Sequence, residues 1–432
     1  MKKKVAIVTY YWPPSGGAGV HRWLDLSNYL IDFGYEVTVV TSKNPDYPLI
    51  DTALSNKVNK QLNVVQVAGF EPRNLIKNVQ KKGKENLDNS LEKPEKQSFF
   101  EKFVVYVRGN FFIPDARKSW AKAVAKYLYN HRSQFDNSLL ITTGPPHSTH
   151  LIGLKWKKEC TTPWIADFRD PWLEIEFFHQ LRLTQAAKKK HAILEKKVLQ
   201  SADLVTTVSP SWAELFRSKG AQETAVLFNA SDYRSSEKVF TKSFAISYLG
   251  TLKSDRIPHT LIQAIANKCK KDSAFSTALQ LTFMGNICED LHDVIAAADL
   301  TKKTFFSGYV EHQDALKEME RADLLLLLQN KSDKNASGRI PMKFFEYINT
   351  ANPIAIFCDP KSDLAHLANG IPGCFCLDYD DEETTASALD KAYSYFQQQE
   401  AINRSAQIAP FSRKATADKL HELITRLTIE KC

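Results

Sequence analysis

The chain has 432 residues, of which 43% are hydrophobic and 25% charged, with a net charge of +8. This is the length of about two domains and an ordinary globular composition, which excludes a disordered or fibrous chain. The seven cysteines are odd in number and contain no C-x-x-C pair, which excludes a disulfide scaffold and a structural zinc site and points to a reducing compartment.

The N-terminus reads Met1-Lys-Lys-Lys4, then Val5–Thr9, then Tyr10-Tyr-Trp-Pro-Pro14. The apolar run is too short for a signal peptide and reads as a first β-strand. No segment offers the ~18 apolar residues of a membrane span. The expectation is a cytoplasmic protein. Pro13-Pro-Ser-Gly-Gly-Ala-Gly19 forms a loop, and Val20–Phe33 has helical spacing, with Trp23, Leu24, Leu26, Leu30 and Ile31 on one face. Gly34 caps that helix, and Glu36–Thr41 is the next strand. Strand, loop, helix and strand make a βαβ unit, which implies a parallel sheet. Further strands are expected at 64–67, 139–143, 164–168, 204–208 and 225–228.

Residues 57–134 break this rhythm with 16 Lys and Arg against 7 Asp and Glu, enough to account for the whole positive excess. Gln80–Gln97 is polar and lysine-rich and reads as a mobile loop. Ser98–Ile113 mixes bulky apolar residues with cations. The turn-rich Asn229–Ser236 reads as a linker. A second alternation of strands and helices follows, with strands expected at 246–249, 279–283, 304–307, 324–328, 354–357 and 375–377. In doubly wound sheets ligands bind at the carboxyl ends of the strands.

Several stretches carry chemistry. The glycines of the Pro13–Gly19 loop allow close backbone approach, and the helix start behind them favours negative charge. Pro341-Met-Lys-Phe-Phe-Glu-Tyr347 places Lys343 and Glu346 three residues apart, on one helix face, with Pro341 in the first turn. A carboxylate there can accept two hydrogen bonds from vicinal hydroxyls. Pro163–Trp172 crowds Asp167, Arg169 and Asp170 at a strand end, and Thr143–His150 brings His147 and His150 beside it. Asp378-Tyr-Asp380 spells a D-x-D but opens an acidic helix start, where acids complement the helix dipole.

The second half, from Ser337 to Phe357, resembles glycosyltransferase family 4, the group 1 bacterial sugar transferases, and their GT-B relatives. Ile246–Leu252, Phe305–Val310, Ala322–Leu327 and Leu227–Asp232 agree with it in the family's order. The resemblance implies an α/β fold of the GT-B kind, with two Rossmann-like doubly wound domains facing across a cleft. An acceptor-side domain would span 1–231, with 409–432 crossing back to it, and a nucleotide-sugar domain 232–408. The implied activity is retaining transfer of a sugar from a UDP- or GDP-sugar, with no metal and no further cofactor. Glu346 matches the family's ribose-binding glutamate. The family's first glutamate falls on Gly338, so backbone amides at Gly338 and Arg339 are the expected substitute. Arg256 keeps one of two diphosphate-binding cations, whereas the other position is Thr251. Lys343 joins Arg256 at the diphosphate, Gly16 and Gly17 assist with their amides, and Val310 lies at the base. Arg169, Asp170 and His147 are expected to orient the acceptor.

The basic window lies in the acceptor-side half, and its cations and aromatics, Phe99 to Ile113, suit an anionic membrane surface and a glycan or lipid-linked acceptor for envelope polysaccharide; no nucleic-acid role is expected. Two other readings stay open. One is a GT-B sugar-nucleotide epimerase or phosphorylase, which would act without an acceptor. The other is a non-catalytic GT-B subunit scaffolding a polysaccharide complex, prompted by the missing glutamate and Thr251.

Overall fold

The computed structural model describes residues 3–45, 47, 49–70, 99–174, 178–233, 238–330 and 336–429. The lysine-rich stretch 80–97 lies outside the described residues. The chain divides into two compact units, residues 1–228 with 413–432, and residues 229–412.

Unit 1 runs β1 (Lys4–Val8), α1 (Ala18–Asp32), β2 (Glu36–Ser42), β3 (Asn63–Val67), α2 (Phe99–Phe111), α3 (Lys118–Asn130), β4 (Ser138–Gly144), α4 (His150–Glu159), β5 (Trp164–Phe168), α5 (Gln185–Ser201), β6 (Leu204–Thr207), α6 (Pro210–Ser218) and β7 (Thr224–Val226). The sheet is parallel, in the order β3-β2-β1-β4-β5-β6-β7, with Val8 opposite both Val40 and Thr142. The direction of winding therefore reverses between β1 and β4, the crevice where such sheets take ligands. Parallel strands are covered on both faces, so they read as near-continuous apolar runs. Ala6 and Val8 pack with Trp120 and Trp156 on one face, and Val5 and Ile7 with Trp23 and Leu24 on the other.

Helix α1 stops where Gly34, at φ +86°, donates to the Ile31 carbonyl while Tyr35 donates to that of Leu30. This is a left-handed cap that a glycine adopts without a Cβ penalty. The last helix of the chain, Arg413–Ile429, packs on α1. Arg413 pairs with Asp25 at 3.0 Å, and the Tyr35 hydroxyl meets His421 Nδ1 at 2.9 Å.

Unit 2 runs β8 (Phe244–Leu249), α7 (His259–Lys271), β9 (Leu279–Met284), α8 (Glu289–Ala297), β10 (Thr304–Gly308), α9 (His312–Arg321), β11 (Leu324–Leu328), α10 (Met342–Tyr347), β12 (Ile354–Phe357), α11 (Asp363–Ala368), β13 (Cys374–Leu377) and α12 (Glu382–Gln398). Its parallel sheet has the order β10-β9-β8-β11-β12-β13, with the reversal between β8 and β11. Every residue of the leucine run Leu324–Leu328 is buried. All the expected strands are present, with ends displaced by at most two residues. After β13, Asp378 of the D-x-D accepts from the Asp380 amide at 2.9 Å, and the helix start is capped by the next residue, Asp381, which accepts from the Thr384 amide at 3.0 Å.

One buried carboxylate organises unit 1. Asp167 on β5 is fully buried and accepts from Trp23 Nε1 (2.8 Å), Thr143 Oγ1 (2.9 Å), Thr206 Oγ1 (2.9 Å) and Arg22 Nη2 (3.3 Å). Arg22 also donates to the Phe228 carbonyl at 2.9 Å. Removing one partner of a buried ion pair leaves the other charge uncompensated, at about 3–5 kcal/mol. Asp167→Ala should therefore lose stability on that scale in urea denaturation followed by tryptophan fluorescence. A loss below about 1 kcal/mol, the worth of a surface pair, would contradict this role.

Candidate functional site

In unit 1 the expected residues gather at the carboxyl ends of β1, β4 and β5. Gly17, at φ +106°, is the cap residue of α1. Gly16 corrects an expectation, because its amide donates to the Leu49 carbonyl at 3.0 Å and is not presented to a ligand. A Cβ there would come within 2.8 Å of Leu49 Cδ2, so this glycine answers to packing. Arg169, just past β5, reaches back over the first turn of α1, where any side chain at Gly19 would overlap its Nη1. Its Nη2 donates to the Pro145 carbonyl at 2.7 Å. Asp170 and Asp167 offset the burial that pulls the guanidinium below its ordinary range. A cation thus lies at the positive end of a helix, an arrangement that draws an anion.

His147 is placed differently from an open contact. Its ring stacks on Trp172 at 5.2 Å and 3°, and neither ring nitrogen has a hydrogen-bond partner among the described residues. Burial, then His150 and Arg169, push it well below the usual imidazole range, so it is neutral. His150 meets Thr142 Oγ1 at 2.9 Å and is pushed down to about 3, first by burial and then by Arg169. A Cβ on Gly144 would lie 2.7 Å from His150 Nε2, so the glycine makes room for these rings.

A residue that motif reading missed holds this turn in place. Asp115, between α2 and α3, accepts from the Ser148 amide (2.8 Å), the Ser148 hydroxyl (2.7 Å) and the Arg117 amide (2.8 Å). Burial raises its carboxyl despite these donors. Arg117 lies over the Tyr10 ring at 4.8 Å. Asp115 sits in the irregular basic window, 33 positions from Ser148, with no motif around it.

In unit 2 the expected residues lie at the carboxyl ends of β8, β10 and β11. Helix α10 carries Lys343 and Glu346, and Pro341 is its cap residue, one position before the first turn. Lys343 Nζ reaches back to donate to the Leu249 carbonyl and sits 5.8 Å from the Tyr248 ring centre. A side chain at Gly250 would overlap that ammonium. Burial lowers the Lys343 pKa, with Glu346 opposing and Arg256 adding to the fall. Arg256 bears on Tyr248 and Tyr379 as well, so both cations share one polar, tyrosine-walled corner. Glu346 is half-buried and acts on Tyr233, whose hydroxyl donates to Glu320 at 2.7 Å. Gly338 is buried, and the carbonyl of half-buried Arg339 accepts from Gln329 Nε2 at 2.9 Å. Val310, half-buried, follows β10.

No protein-family model and no curated protein sequence matches the chain. Solved structures do match over its whole length. Sucrose-phosphate synthase from Thermosynechococcus elongatus superposes with a TM-score of 0.62 at 14% identity, covering 99% of this chain and 100% of that one. A TarM variant from S. aureus, in complex with fondaparinux, alpha-GlcNAc-glycerol and UDP, gives 0.57 at 12% identity, covering 98% and 99%. The lipopolysaccharide outer core galactosyltransferase WaaB gives 0.56 at 13% identity, again covering 98% and 99%. The chain has the GT-B fold.

The neutral histidines have a consequence for stability. His150, at about 3, and His191, at about 4, lie below the ordinary 6.5, so below that pH the unfolded chain binds more protons than the folded one. Stability should fall as pH drops from 6.5 toward 4. Denaturation midpoints at about pH 7 and about pH 5 check this, with a smaller drop expected for His150→Gln. An equal drop in that variant would contradict the burial account.

Proposed function

We propose that the chain is a glycosyltransferase in which unit 2 holds a nucleotide-diphosphate sugar and unit 1 the acceptor. The observation that carries this reading is the pair of cations at the switch point of unit 2. Arg256 adds to the fall of the Lys343 pKa and Glu346 opposes it, and Asp255 stands 3.9 Å from Arg256 Nε. A diphosphate would meet both cations, and the charge that grows on it as the sugar leaves would be stabilised where they already stand. Glu346, on the same helix face as Lys343, takes the ribose hydroxyls. The amides around Gly338 and Arg339 face the sugar. Arg169, Asp170 and the amide of Gly17 orient the acceptor, and neutral His147 supports the turn that receives Arg169.

Transfer without a metal belongs to the same reading, since cations meet the diphosphate, and retention of configuration is what the resemblance to family 4 implies. Glu346→Ala should weaken nucleoside-diphosphate binding by about tenfold or more, the worth of a charge-assisted hydrogen bond, while the protein stays folded. Calorimetry with UDP and GDP reads this, and an unchanged affinity removes Glu346 from the ribose role. Turnover should survive EDTA; if magnesium or manganese is needed to restore it, the metal-free part of the proposal is wrong.

The acceptor we propose is a lipid-linked glycan met at an anionic membrane surface. Helix α2 exposes Phe103 (58%), Tyr106 (39%) and Phe111 (72%). Asn110 clamps α2 to the start of α5, accepting from the Thr184 amide and hydroxyl, both at 2.8 Å. Helix α5 exposes Lys188, Lys189, Lys190, Lys196 and Lys197 around Ile193. Lys118 is lowered by burial and then by Lys190 and Lys122, so the cations of α3 and α5 are neighbours. Apolar side chains entering the interface and cations facing anionic headgroups act together. No helix among the described residues is long and apolar enough to cross a membrane. Co-sedimentation with liposomes should rise with anionic lipid, fall with salt, and weaken in Phe103→Ser with Phe111→Ser and in Lys189→Glu with Lys190→Glu. No binding at low salt would leave a soluble acceptor in its place.

A further inference from the structure

The cations of unit 2 stand at the carboxyl ends of its strands. A separate cavity of about 300 Å³ lies on the amino-end side, and its walls include Ser231, Asp232, Asn349, Ser405, Ile408 and Ser412, all in unit 2. Helix α10 runs from the carboxyl end of β11 toward the amino end of β12, and Asn349 lies just beyond it. The segment that carries Ser405 is anchored at the same end. Ile402 donates to the Ala351 carbonyl at 3.0 Å, and Arg404 donates to the Thr350 and Asn352 carbonyls, both at 2.6 Å. The volume is at the lower limit of small-molecule sites, about 300–1,000 Å³, which suits a single ring better than a nucleotide.

The walls mix donors and acceptors. Asn349 Nδ2 is used by the fold, donating to the Phe345 carbonyl at 2.7 Å and the Ser231 carbonyl at 3.4 Å. Those bonds orient the amide, and its Oδ1 has no donor among the described residues. The buried Ser231 hydroxyl accepts from the Tyr233 amide at 3.1 Å and keeps its own proton to give. Ser405 and Asp232 are exposed, and Ile408 supplies an aliphatic wall. No lysine, arginine, histidine or aromatic ring lines the cavity among the described residues. A phosphate would therefore meet a carboxylate and no cation, and a nucleobase would find no ring to stack on. A neutral ligand with hydroxyls on its edge and C–H groups on its face fits both kinds of wall.

We propose that this cavity is a second carbohydrate site, which takes one neutral sugar residue, free or at the end of a glycan. Vicinal hydroxyls meet Asp232 and Asn349 Oδ1, the Ser231 and Ser405 hydroxyls complete the edge, and the C–H face lies on Ile408. The site is distinct from the one proposed for the donor and does not depend on that reading.

The test is saturation-transfer NMR on the full chain held with excess UDP, with glucose, galactose, N-acetylglucosamine and maltotriose at millimolar concentration as probes. At least one probe should bind the wild type. Its affinity should fall about tenfold or more in Ser405→Trp, which fills the cavity from an exposed position, and in Asp232→Ala, which removes a charged acceptor. Both positions are exposed, so circular dichroism should show both variants folded as the wild type is. Maltotriose binding more tightly than glucose would assign the site to a glycan end, and equal binding to a free sugar; either supports it. Absence of transfer to every probe overturns the proposal. So does transfer seen only without UDP, which would place the sugar in the donor's site, and so does affinity within about twofold of wild type in both variants.

Discussion

A carboxylate with no access to water holds unit 1 in register. Burying a charge is costly unless it is paired and hydrogen-bonded, and Asp167 meets that condition by drawing donors from α1, β4 and β6 onto β5. Three of these four elements border a loop with chemistry on it. Helix α1 begins at the glycine loop, β4 ends at Gly144, and β5 continues into Arg169 and Asp170. Because Trp23 shares Oδ2 of Asp167 with Thr143, and Arg22 shares Oδ1 with Thr206, the distance between the glycine loop and the Arg169 turn is set from inside the core. Arg22 adds the Phe228 carbonyl, so the last residue before unit 2 is held by the same network.

Unit 2 uses the same device. Lys238 and Asp323 are almost wholly buried and meet at 2.9 Å. Asp323 also accepts from the Ala245 amide, and Lys238 donates to the Ala322 carbonyl. The pair fixes the start of β8 against the start of β11, the two strands between which the winding reverses. Burial pulls the lysine down and pushes the carboxyl up, and each offsets the cost for the other. At the opposite, carboxyl ends lie Gly250 and Gly285, with the Lys343 ammonium over Gly250.

Much of this was legible in the sequence for a physical reason. Strands covered on both faces must be apolar throughout, so Val5–Thr9 and Leu324–Leu328 announce themselves between turns. Lys343 and Glu346 could be placed on one face because helical spacing requires it. What was not legible depends on partners far apart in the chain. That Lys343 bends back to the Leu249 carbonyl, that Leu49 takes the Gly16 amide, and that Asp115 holds Ser148 are facts of packing that no local spacing encodes. His147 looked like an open polar group beside a strand end. Its stacking on Trp172 follows from the turn at Pro145 and Pro146, which aims the ring into the aromatic core.

The central claim is that a nucleotide diphosphate lies along the carboxyl ends of β8, β9 and β10 in unit 2. Amide hydrogen exchange on the full chain, with and without UDP or GDP, tests it most directly. Protection is predicted at 250–252, 285–287, 308–310 and 338–346, with the loop 13–19 little changed. Protection confined to that loop and to 144–150, with no change in unit 2, would contradict the account.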